Sequence, residues 1–115
     1  MPFSYSSSFI IVFYIKMSSD EDKLDEIRKR IDEIDDAITD LLSKRMHYAK
    51  ETRDEKVRLK KPIIDTQRQK EVIEKWRERA RRHRGSSRYE LSEEFMVQIA
   101  ELIIGYTVKK EMEEQ

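Results

Sequence analysis

An all-α fold of three helices, the first of them very long, is what this sequence predicts, and three observations carry the reading. Leu24, Ile27, Ile31, Ile34, Ile38 and Leu41 step by 3, 4, 3, 4 and 3, the spacing that keeps one stripe of a helix against a partner. Only two glycines and two prolines occur in 115 residues, so little interrupts a helix. The rest of the chain is rich in Glu, Lys, Arg and Ile, with 42% of residues charged.

Residues 1 to 16 differ in character from the rest of the chain. Phe9 to Ile15 is an apolar, aromatic run after a set of serines, too short to span a bilayer. It lacks the basic start and small-residue cleavage site of a secretory signal. Met17, Ser18, Ser19 and Asp20 resemble a start with a helix N-cap ready. We therefore expect residues 1–16 to be a dispensable extension, with a β-like arm as the alternative, and residues 17–115 to form the domain. The first helix is expected from about Asp20 to about Leu59, roughly 60 Å at ~1.5 Å per residue. Such a helix cannot fold back on itself, so its seam needs other helices, most economically those of a second copy.

Pro62 breaks the pattern, and Asp65 stands where an N-cap opens the second helix, which carries Val72, Ile73 and Trp76. That helix ends in a basic stretch, Arg77 to Arg84, before Gly85, Ser86 and Ser87. Cations there offset the helix dipole, which is the plainer reading than a nucleic-acid patch. Ser92 caps the third helix, with Phe95, Ile99, Leu102, Ile103 and Tyr106 expected on its inner face.

Composition narrows the chemistry. With 24 basic and 24 acidic residues, no overall field draws the chain to nucleic acid or to an anionic membrane. The absence of cysteine excludes disulfides, thiolate chemistry and cysteine-ligated metals, and two histidines, His47 and His83, argue against a metal site. Anion recognition, if present, is local.

Several polar residues sit where a core face should be apolar. Arg45 occupies the next position of the stripe after Leu41, and an unpaired guanidinium on a packing seam costs several kcal/mol unless an anion or a carboxylate meets it. Lys56 lies eleven residues on; at ~100° per residue it returns to within about 20° of the same face, roughly 16 Å away. The two can bracket a small dianion. Arg28 is seventeen residues before Arg45 and turned by about a quarter circle, so it serves the same site only from a second, antiparallel copy. Asp65 and Arg68 form an i, i+3 pair expected to orient each other, and Thr107 and Glu111 form an i, i+4 pair in line with Ile103. Taken singly, each of these is also what an ordinary surface ion pair looks like.

Together, the run IRKRIDEIDDAITDLLSKRM, then Lys56, then KKPIIDTQRQ from Lys60 to Gln69 resembles the all-helical chorismate mutases, over about residues 20 to 114. The resemblance implies the type II chorismate mutase fold, an intertwined homodimer of three-helix protomers with two equivalent sites. It implies chorismate as substrate, no cofactor, no metal, and a cytoplasmic role in phenylalanine and tyrosine synthesis. Position by position, Arg28 matches an arginine given to a substrate carboxylate by the opposite subunit, and Arg45 one that binds the other carboxylate from its own subunit. Lys56 matches the lysine at a carboxylate and the ether oxygen; Asp65 and Arg68 match residues at the ring hydroxyl and a carboxylate; Thr107 matches a small hydroxyl residue lining the site. Lys56, Glu111 and Arg45 would carry catalysis. An isochorismate pyruvate lyase of the same fold is the nearest rival, favoured by the segment KRMHYAK; a helical dimerisation module without activity is another.

Two positions depart from the familiar pattern. Gln69 stands where a Glu often accepts from the substrate hydroxyl, and its amide carbonyl can still accept. Glu111 stands where a Gln often donates to the ether oxygen, and a carboxyl donates only when protonated. Activity is therefore expected to fall as pH rises, and Glu111→Gln to flatten that profile. A flat wild-type profile from mildly acidic to mildly basic pH would remove Glu111 from the reaction.

Overall fold

The computed structural model describes residues 2–114, with side chains described from Asp20 onward. Three helices account for its regular structure: α1 (Pro2–Arg58), α2 (Thr66–Arg82) and α3 (Glu93–Glu113), with no strand among the described residues. The chain divides into two compact units, Met1–Ser43 and Lys44–Gln115.

The first unit is helix. Its apolar stripe forms as the spacing requires but stays in water, from 46% exposed at Leu24 to 63% at Leu41. Burying such side chains stabilises by roughly 1.5–3 kcal/mol each, so a seam of this kind is built to be covered. The helix begins at Pro2, which corrects both the expected start near Asp20 and the β-like alternative for the arm. Nothing between Pro2 and Pro62 removes a backbone donor or adds glycine's freedom, and once nucleated a helix gains a hydrogen bond for each further residue it fixes. Serines at positions 18 and 19 are therefore passed through rather than used as a cap.

In the second unit the end of α1 is closed tightly. Lys60 takes a left-handed conformation, φ 57°; its N–H donates to the Val57 carbonyl (3.1 Å) and that of Lys61 to the Lys56 carbonyl (2.8 Å). This pair of bonds is the Schellman closure, made here with lysine where glycine is usual, and Pro62 comes next to prevent continuation. Asp65 then caps α2, accepting from the Arg68 N–H at 3.0 Å, and Ser92 caps α3, accepting from Phe95 N–H at 3.0 Å, both as expected.

α2 and α3 pack on each other through a thin core of Val72, Ala80, Met96 and Ala100. The two alanines, 3% and 0% exposed, let the backbones close. The basic end of α2 does more than meet its own dipole: Arg77 and Arg81 reach Glu74, and Arg77, Arg81 and Arg84 reach Glu93 in the first turn of α3. The expected inner face of α3 is corrected by about one residue. Met96, Ala100, Thr107 and Glu111 are buried and Ile99 and Ile103 half-buried, while Phe95, Leu102 and Tyr106 remain exposed. α3 is apolar on more than one side, so periodicity alone cannot choose the face; the groove that α2 offers chooses it.

Candidate anion-binding site

A cavity of about 290 Å³ opens in the second unit, between the last turns of α1, the turn 59–65, and the facing sides of α2 and α3. From α1 it takes Arg45, Tyr48, Ala49, Thr52 and Lys56, one stripe at helical spacing. The turn supplies Ile63 and Asp65, α2 supplies Arg68, Gln69 and Val72, and α3 supplies Ile104, Thr107, Val108 and Glu111. Its volume suits a small molecule, at the lower end of the roughly 300–1,000 Å³ usual for ligand pockets.

Lys56 is the best-anchored cation. Its Nζ donates to the Ile63 carbonyl at 2.7 Å and lies 3.5 Å from Glu111 Oε2, with both side chains largely buried. Oε2 of Glu111 is buried and has no hydrogen-bond partner among the described residues, an arrangement that calls for a further group. The Thr107 hydroxyl donates to the Ile103 carbonyl at 2.7 Å, with Met46 Sδ 3.6 Å from the same oxygen.

Arg45 is different. Burial first, and then the positive charges of Arg68 and Arg79, push its guanidinium below its ordinary pKa. The two charges that lower it are both positive, and Arg45 makes no ion pair with a carboxylate among the described residues. A half-buried arginine in that position awaits an anion. Arg68 adds to the field while its own guanidinium sits 3.7 Å from Glu71.

Of the eight residues singled out in the sequence, seven line this cavity: Arg45, Lys56, Asp65, Arg68, Gln69, Thr107 and Glu111. Asp65 and Arg68 do not orient each other through their side chains, as expected, but through the cap, because the Asp65 carboxylate is used by the Arg68 backbone N–H. Arg28 belongs to the first unit, where its side chain is exposed and 3.9 Å from Asp25. Sequence reasoning passes over Tyr48 and Thr52, although the 3 and 4 steps from Arg45 to Lys56 run through them. It passes over Arg79 because its stretch reads as a helix end; that side chain lies over the Trp76 ring at 5.5 Å and bears on Arg45. Ile63 acts through a main-chain carbonyl, for which no side-chain signal exists.

The cavity is walled by three helices, with cations set against a carboxyl and a hydroxyl. The profile of the family described as "Chorismate mutase type II" matches residues 27–112, and the chain belongs to that family. A relative named "Chorismate mutase" from Methanocaldococcus jannaschii is 40% identical over 62 residues, 54% of this chain. The match spans 63% of that relative's length. No solved structure matches the chain significantly. No described helix is long and apolar enough to cross a membrane.

Arg45→Met is expected to leave the thermal unfolding midpoint unchanged or raised, since it removes a desolvated charge that its neighbours repel. A small dicarboxylate should raise the midpoint of the wild type and not of the variant. A marked drop in the variant's midpoint, read by circular dichroism, would mean that a carboxylate already pairs Arg45.

Proposed function

We propose that this protein is a chorismate mutase, converting chorismate to prephenate as a step toward phenylalanine and tyrosine, in the cytoplasm and as a homodimer. The observation that carries the reading is the convergence of Arg45, Lys56, Arg68, Gln69, Thr107 and Glu111 on one cavity. The rearrangement is a single pericyclic step: the ether C–O bond breaks as a C–C bond forms, with no proton transfer and no nucleophile. Catalysis then reduces to holding the folded conformer and stabilising the negative charge that grows on the ether oxygen.

In this reading Arg45 and Arg68 bind the substrate carboxylates. Arg45 has no internal anion to give up, so binding relieves the repulsion from Arg68 and Arg79. Lys56, fixed by the Ile63 carbonyl, presents its remaining N–H bonds to the ether oxygen, with Glu111 beside it. Gln69 and Asp65 face the ring hydroxyl. Tyr48, Val72, Ile104 and Val108 give the ring its apolar wall and limit water.

Dimerisation is supported by the exposed stripe from Leu24 to Leu41 and by the exposed Phe95, Leu102 and Tyr106 on α3. Arg28 would complete each site from the opposite subunit.

Following chorismate loss with purified protein tests the proposal directly, and pyruvate release from isochorismate instead would assign the sister lyase activity. Lys56→Ala is expected to remain folded and to lose turnover by a factor of hundreds, since one preorganised donor is worth roughly 3–4 kcal/mol. Full activity in that variant would refute the assignment. Mixing inactive Arg28→Ala and Arg45→Ala proteins should restore roughly a quarter of wild-type activity, because half of randomly formed dimers carry one intact site of two. No recovery on mixing would confine Arg28 to its own subunit or remove it from the site.

A further inference from the structure

Arg53 has no part in the cavity wall, yet it is among the least exposed charged side chains of the second unit, at 13%. Its Nε donates to the main-chain carbonyl of Glu111 at 2.9 Å. Its Nη1 lies 3.4 Å from Glu114 Oε2, which Lys50 also holds, and 3.9 Å from Asp54. α3 ends at Glu113, so the Glu111 carbonyl is one of the last four that a helix leaves without a partner in a following turn. A cation at a helix C-terminus also complements its dipole. Arg53 thus supplies what the end of α3 lacks.

Arg53 and Lys56 are three residues apart on α1 and grip the same residue from two sides. Arg53 takes the main chain of Glu111, and Lys56 faces its side chain at 3.5 Å. We propose that Arg53 is a positioning residue for the reaction: by tying the last turn of α3 to α1 it sets the Glu111–Lys56 separation, and with it the direction in which Glu111 meets the substrate oxygen. This rests on the roles given above to Glu111 and Lys56. Oε2 of Glu111 is buried with no hydrogen-bond partner among the described residues, so a small drift of the turn would change what that atom can reach.

Steady-state kinetics of Arg53→Ala, Arg53→Lys, Glu111→Ala and the Arg53→Ala/Glu111→Ala pair, with amide hydrogen exchange across α3, form the test. Arg53→Ala is expected to lower kcat by roughly tenfold and to move KM by less than about threefold, with faster exchange confined to the last turns of α3. Arg53→Lys, which keeps a donor and a charge, should recover most of the loss. Because Arg53 acts through Glu111, its removal should cost nothing further once Glu111 is alanine. Unchanged kcat in Arg53→Ala, an equal loss in both backgrounds, or failure of both Arg53 variants to fold would overturn the proposal. An inert Glu111→Ala would refute the role of Glu111 itself and the proposal with it, with the exchange data then showing the anchor as structural alone.

Discussion

The end of α1 is the point on which the second unit depends. Lys56 is held there at both its ends: its carbonyl by the N–H of Lys61, in the closure that stops the helix, and its ammonium by the carbonyl of Ile63 in the turn beyond. One residue therefore terminates the helix, folds the turn back over its own side chain, and presents a charge to the cavity. The same turn delivers Asp65 in an extended conformation to cap α2, and with it Arg68, Gln69 and Val72 face the cavity. A long flexible cation becomes a fixed donor because its head is bonded to the turn that follows its own helix.

Charge is distributed around this point in a way that stability alone does not explain. The exposed ends of the helices are laced with paired charges, as Glu74 and Glu93 are with the arginines of α2. Arg45, half-buried, is left among cations only. Stability alone would favour an uncharged side chain such as methionine or leucine there, since a partly desolvated charge without a partner costs free energy. Under the proposed function, a small anion bound there would offset that cost and leave binding energy for orientation.

Glu111 and the apolar surfaces follow the same logic. The carboxyl of Glu111 sits beside a cation with one oxygen unmatched among the described residues. The stripe of the first unit and the outer side of α3 keep large aliphatic and aromatic groups in water, while the core between α2 and α3 rests on four small or medium side chains. So thin a core gives little stability for a chain of this size, which fits the proposed burial of the exposed stripe against a second copy.

The helices, their caps and most of the site are legible in the residues alone. Periodicity placed Arg45 and Lys56 on one face because helical geometry is nearly invariant over eleven residues, and Asp65 and Ser92 announced their helices because a side-chain acceptor at an N-cap is a local matter. Other features came only with the packing of one helix on another. That packing chose Met96 and Ala100 over Phe95 and Leu102 as the covered side of α3, since a helix with apolar residues on more than one side does not show which side is covered until a partner groove is present. It gave Ile63 a role through its main chain, joined Arg79 to the field at Arg45, and brought Arg53 to the carbonyl of Glu111 across 58 residues. Contacts of that kind depend on where backbones meet in space, and residue type and spacing do not encode them.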